Sequence, residues 1–289
     1  MKKLNTYLVS LIISIILVFM IIVSSLVAVV NTNVTESKII RTSEKNQVYS
    51  LITGELNKYF VSQYNTTGIP AEVYMDALDE NYIRQVTDAY INSMFSTLRA
   101  GKNSKFTIPE NETLENNIRK FFSDYADTNN YEKDEVYEKK VSATIENAYR
   151  VTENYCDVYK YSTLNEHGVL SQVSRIFSHI GKILMICAGV TVFLIVLLII
   201  VNIKSVGDSL YWTGISALIA GIICTVPTAW LLGAGYFDSF VIKQPQVFRA
   251  FTGTMYAVTE MIITVNIVII VIAVCCIVVY GLLCRKNKK

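Results

Sequence analysis

Four stretches of the chain are apolar and free of charge: Tyr7 to Val30, Ile183 to Asn202, Leu210 to Gly235 and Met261 to Cys284. Each reaches the roughly 20 residues that a helix needs to cross the hydrocarbon core of a bilayer. Four transmembrane helices are therefore expected, the last three at about 183–202, 210–235 and 261–284. Between the first and second windows the pattern changes to one apolar stripe per helical turn. In VYSLITGELNKYF the positions Val48, Leu51, Ile52, Leu56, Tyr59 and Phe60 lie on one helical face.

The same period continues through the insert. Asp79 is placed to cap a helix that ends at Gly101 and carries Ile83, Val86, Tyr90, Met94 and Leu98 on one side. Thr107 and Glu110 have capping-box spacing, which predicts a helix through Leu114, Ile118, Phe121, Phe122 and Tyr125. After the turn DTNN, the positions Val136, Val141, Ile145, Ala148, Tyr149, Tyr155 and Tyr159 predict the longest helix of the insert. The break NEHG precedes Val169, Val173, Ile176 and Phe177, which lead into the second span. No run alternates strictly between apolar and polar residues, so no sheet is expected. The fold class is all-α: a polytopic membrane protein with an extracellular helical bundle between spans 1 and 2, its end helices continuous with those spans.

The first window holds 24 residues, more than the roughly 7 to 15 of a secretory signal's apolar region. Its candidate cleavage end, Leu26 to Ala28, has a bulky leucine where a small residue is needed. Residues 1–30 are read as an uncleaved signal anchor, residues 31–178 as the extracellular domain, and 179–289 as spans 2–4 with a basic tail. Lysine and arginine set the orientation. With the N-terminus inside, Lys2, Lys3, Lys204, Arg285, Lys286, Lys288 and Lys289 face the cytoplasm against the single acid Asp208. Both termini are then cytoplasmic, and the chain is a multi-pass protein of the cell membrane.

Composition adds little to that picture. Charged residues are 17% of the chain, below the usual quarter for soluble domains. The insert carries sixteen basic and twenty-one acidic residues, which argues against nucleic acid as a partner. Eighteen tyrosines against two tryptophans suit a bundle whose core edges meet water, and packing is the plainer reading of them than a ligand-stacking surface. Three Asn-x-Ser/Thr triplets, at Asn33, Asn65 and Asn111, would accept glycans on a eukaryotic secretory route. The Ile, Asn, Lys and Tyr bias instead suits an AT-rich bacterial genome.

Candidate chemistry is sparse. The two histidines, His167 and His179, belong to no HExxH pattern, and no CxxC, GxSxG or GxxxxGK[ST] occurs. No enzymatic activity, cofactor or metal is expected. Five of the six cysteines lie in or beside spans, with Cys284 in the juxtamembrane setting of acylated cysteines. Cys156 alone lies in the insert, as a buried free thiol or an intermolecular bridge. In span 3, Gly214, Ala217, Gly221 and Thr225 allow close helix packing, and Pro227 removes a backbone hydrogen bond and predicts a kink open to gating. In span 4, Asn266 is read as a hydrogen bond to a neighbouring helix, and Glu260 as reaching headgroup water.

In its order of elements the chain resembles the four-span permease subunits of cell-division and macrolide-exporter ABC systems. These place an outer domain between spans 1 and 2, followed by three closely spaced spans. The resemblance implies a cytoplasmic ATPase partner docked at the inner loop NIKSVGDS. That loop is short for docking, the outer domain reads as all helical, and little chain precedes span 1. With about half the chain in the insert and no catalytic constellation, the sequence favours a non-enzymatic cell-surface protein. Its outer domain would bind a protein partner, a second copy or an envelope component. The transport-coupled subunit and a membrane sensor are the other two readings.

Overall fold

The computed structural model describes residues 2–101 and 106–286, and every regular element in them is helical. Lys288 and Lys289 of the basic tail lie outside the described residues. Four runs are long and apolar enough to cross a membrane: Thr6–Asn33, Val169–Val201, Gly207–Gly233 and Pro245–Arg285. The chain divides into two compact units, residues 1–35, 179–240 and 255–289 on one side and 36–178 with 241–254 on the other. They are called here the span unit and the bundle unit.

The elements in chain order are α1 (Lys2–Asn33), α2 (Glu36–Lys45), α3 (Val48–Thr67), α4 (Glu72–Met75), α5 (Glu80–Ala100), α6 (Glu112–Asn129), α7 (Glu135–Cys156), α8 (Tyr161–Glu166), α9 (Val169–Phe177), α10 (Ile180–Val201), α11 (Val206–Gly233) and α12 (Pro245–Lys286). Short interruptions separate α1 from α2 and α9 from α10, where the periodicity predicts continuous helices. At the first, the Thr32 hydroxyl and the Asn33 amide donate back to the carbonyls of Ala28 and Val29. Such bonds let polar side chains compete with the helix ladder and end it.

In the bundle unit the core is the predicted stripe of each long helix. Val48, Ile52, Leu56 and Phe60 of α3, Ile83, Val86, Tyr90 and Leu98 of α5, and Val141, Ile145 and Ala148 of α7 are buried. Asp79 caps α5 by accepting from the Tyr82 amide at 2.8 Å, and Gly101 ends it at φ 66°, a left-handed conformation that glycine adopts without strain. The cap of α6 differs from expectation: Asn111, not Thr107, accepts from the Leu114 amide at 3.0 Å. Pro109 disfavours helical backbone at Ile108, so a helix cannot begin at Thr107. Asn111 is also tied down from both sides, donating to the Ala77 carbonyl and, through its backbone, to the Tyr149 hydroxyl, each at 2.8 Å.

The fourth span is part of a 42-residue helix, α12, whose first ten residues belong to the bundle unit. Within that unit the Tyr159 hydroxyl lies 2.9 Å from the Thr254 hydroxyl, 3.3 Å from the Ala250 carbonyl and 3.4 Å from the Ser43 hydroxyl. An apolar window isolates only the membrane-crossing part of such a helix. Its polar start is marked by Pro245 in the first turn, where a missing N–H costs nothing.

In the span unit, Leu17, Leu194, Leu198 and Trp212 form a buried cluster joining α1, α10 and α11. Small hydroxyls lie along this seam. Asn202 Nδ2 donates to Ser10 Oγ at 3.0 Å, Ser216 Oγ donates to the Ser14 carbonyl at 3.2 Å, and Ser24 and Thr191 pair at 3.3 Å. Interhelical bonds of this kind hold helices together where no hydrophobic drive operates.

Candidate functional site

An exposed aromatic surface of the bundle unit lies where α6 turns into α7. Asn130 turns the chain there at φ 55°, a left-handed conformation that asparagine tolerates better than most residues. Asp134 then starts α7 by accepting from the Tyr137 amide at 2.9 Å. Lys133 fastens the turn by donating to the Asp127 carboxylate at 2.9 Å and the Ser123 hydroxyl at 2.8 Å. No residue between Ala126 and Val141 is buried, so this end carries no core of its own.

Five rings occupy it. Phe121 and Tyr125 are near parallel with centroids 6.4 Å apart, and Tyr125 and Tyr131 near parallel at 6.1 Å. Phe122 stands edge-on to Phe121 at 5.9 Å and to Tyr137 at 6.4 Å. Tyr125 is 54% exposed, Tyr131 62% and the adjacent Val136 59%. A fixed set of aromatic rings rimmed by charges offers large contact area for little side-chain entropy, the composition that marks interaction surfaces.

The period of α6 carried no signal for this surface. Phe121, Phe122 and Tyr125 continue the arc of the buried Leu114 and Ile118 around α6, yet none of the three is buried, because they lie towards the hairpin end, where no residue between Ala126 and Val141 is buried. Reading every apolar position as core therefore overstated packing here.

Other polar groupings in the bundle unit are structural. Tyr49 donates to the Asp88 carboxylate at 2.7 Å, and Arg84 lies over the Tyr49 ring while bonding Glu44 at 2.8 Å, which links α2, α3 and α5. Burial pushes both the Tyr49 hydroxyl and the Asp88 carboxyl above their ordinary ranges. A cavity of about 250 Å³ is lined by Lys45, Asn46, Gln47, Ser50, Leu51 and Arg249. Another, of about 390 Å³, adjoins Asp76, Asp79 and Glu110. Among the described residues no group of three or more His, Cys, Asp or Glu could hold a metal ion.

The residues singled out in the spans fall into place as follows. Gly214 faces Ile277, Ala273 and Cys276, and Gly221 faces Ile270 and the Asn266 carbonyl, so both glycines lie at the α11–α12 contact. Ala217 is half-buried between them. Asn266 is fully buried, but its amide donates within its own helix, to Ile262 at 2.8 Å, rather than to a neighbour. The α11 helix continues through Pro227, and just beyond it the Thr228 hydroxyl donates to the Cys224 carbonyl.

In the bundle unit Cys156 is the last residue of α7, wholly buried, with its thiol pushed up to about 12 by desolvation. Of its two readings, this geometry describes the buried thiol, and it leaves the sulfur no surface for a bridge to a second chain. Compared with known proteins, the chain matches no family model, no curated protein and no solved structure.

Proposed function

We propose that the chain is a non-enzymatic, four-span protein of the bacterial cell membrane whose outer helical domain is an interaction module. Both termini are cytoplasmic, residues 1–30 are a retained signal anchor, and residues 31–178 lie outside the cell. A protein or envelope component is engaged by the α6–α7 end. The observation that carries this reading is the pair of exposed rings Tyr125 and Tyr131, near parallel and backed by the half-buried Phe121, on a turn that Lys133 fastens through Asp127 and Ser123.

The test is cross-linking of the tagged full-length protein in its own cells, with wild type and a Tyr125→Ser/Tyr131→Ser variant compared side by side. Both changes are at exposed positions, so the variant should melt with wild type. A partner captured by wild type and lost from the variant supports the reading. An unchanged set of captured partners sinks it.

The transport-coupled reading draws on one different observation, the single helix α12 that contributes residues to both units. A stoichiometric ATPase recovered equally with wild type and variant would favour that reading, with the loop NIKSVGDS as its docking element.

A further inference from the structure

The helix α9 has two apolar faces, and the bundle unit uses only one. Leu170 and Ser174 are buried, with Ser174 beside Gly101 and the Phe177 ring 6.1 Å from Phe95. Away from that face, Val169, Val173 and Ile176 are 39%, 45% and 67% exposed at spacings of four and three residues. That spacing makes one continuous aliphatic stripe along the helix.

Two features of the chain say what covers the stripe. The first is continuity. Only Ser178 and His179 separate α9 from α10, whose exposed Met185 and Ile186 begin the lipid-facing surface of a span. The apolar window 183–202 already supplies the roughly 30 Å needed to cross the hydrocarbon core. Thus α9 is not required for crossing and falls at the level where the chain enters the bilayer.

The second feature is charge. From His167 to Gly207 the chain contains no acidic residue, while Lys182 follows the stripe's membrane-proximal end. An aliphatic face beside a cation is what the boundary between anionic headgroups and acyl chains accommodates. A protein surface built for docking is richer in aromatic rings, as at the α6–α7 end.

We propose that α9 is a membrane-surface helix, with Val169, Val173 and Ile176 buried at the headgroup–acyl boundary of the outer leaflet and Lys182 directed to lipid phosphates. The bundle unit is then anchored to the bilayer by this helix as well as by its connections to the spans. This inference stands apart from the partner at the α6–α7 end.

The experiment places a tryptophan at the stripe. Full-length Ile176→Trp, and separately Val173→Trp, are reconstituted into vesicles of phosphatidylcholine and phosphatidylglycerol. Val136→Trp serves as an exposed reference in the same unit. The signal of each introduced tryptophan is taken by difference from the parent protein, which retains Trp212 and Trp230.

Bromolipid carrying bromine high on its acyl chains should quench the Ile176→Trp and Val173→Trp signals and shift their emission to shorter wavelength. Acrylamide should quench them less than it quenches Val136→Trp. Acrylamide quenching equal to that of Val136→Trp overturns the proposal, since the stripe then faces water. Protection from both quenchers also overturns it, because a protein surface then covers the stripe.

Discussion

The Cβ that Gly221 lacks would fall 2.5 Å from Cγ1 of Ile270, closer than any real side chain tolerates. One turn-pair away, a Cβ at Gly214 would meet Ile277 at 2.9 Å and the Ala273 carbonyl at 3.1 Å. The two glycines are seven residues apart, so they lie on the same face of α11 and set how near α12 comes.

Gly221→Ala is accordingly expected to destabilise the protein in detergent by about 1–3 kcal/mol, the usual cost of overpacking. Gly214→Ala should cost about as much or slightly less by the same mechanism. Gly189→Ala in α10 and Gly281→Ala in α12 have nothing within 4 Å of the added carbon and should be neutral or mildly stabilising. Thermal unfolding followed by size-exclusion chromatography separates the two pairs, and equal loss in all four would refute a specific α11–α12 contact.

Asn111 and Thr107 compete on paper for the start of α6. Asn111→Ala removes a cap and the bond to the Ala77 carbonyl, a loss of about 2 kcal/mol. Thr107→Ala should stay within about 0.5 kcal/mol of wild type. Chemical denaturation of both variants decides the assignment, and the reverse order would restore the capping box at Thr107.

The Tyr159 hydroxyl joins the start of α12 to the rest of the bundle unit. Tyr159→Phe keeps the ring and deletes those bonds, which should cost about 1–2 kcal/mol. It should also speed amide exchange in residues 248–254 relative to the core of α5. Unchanged exchange there would mean that the hydroxyl contributes nothing to docking that segment.

Cys156 should resist a thiol-alkylating reagent in the folded protein and react once the bundle is unfolded, because the thiolate is both inaccessible and disfavoured there. Mass spectrometry of alkylated peptides, with and without denaturant, reads this directly. Rapid labelling of the native protein would contradict the buried placement.

Two carboxyls give the bundle unit a particular dependence on pH. Glu153 is pushed up by burial and then by neighbouring Asp157. Asp88 is pushed up by burial, against the opposing pull of the Tyr49 hydroxyl and Arg84. The folded state therefore holds these protons more tightly than the unfolded chain does. Their stabilising contribution is complete below the ordinary carboxyl range and is lost as pH rises through the raised folded values. Glu153→Gln should gain stability relative to wild type on moving from about pH 4 to neutrality, and the difference between the two melting curves isolates the effect. A difference that does not change with pH would show that Glu153 titrates alike in both states.

What the sequence determined on its own was whatever depends on near-neighbour spacing. Uncharged runs of membrane length located the spans, and the 3.6-residue period located the buried faces of α3, α5 and α7, because burial repeats with the turn. The Asp79 cap and the Gly101 stop were legible for the same reason: each acts on a backbone group within a few residues of itself.

Tertiary structure decided everything that depends on which other segment arrives. The periodicity of α9 shows an apolar stripe at Val169, Val173 and Ile176, but α5 packs against Leu170 and Ser174 instead. Phe121 and Tyr125 share the arc of the buried Leu114 and Ile118 on α6, and only the packing of the other segments leaves Phe121 half-buried and Tyr125 exposed. The first ten residues of α12 look like a connection between spans until Tyr159 and Ser43 close on them. Local pattern records that a residue is apolar or helical, whereas a long-range partner settles which surface is covered, and for α9 and the α6–α7 end that choice leaves exposed the surfaces on which the proposed functions rest.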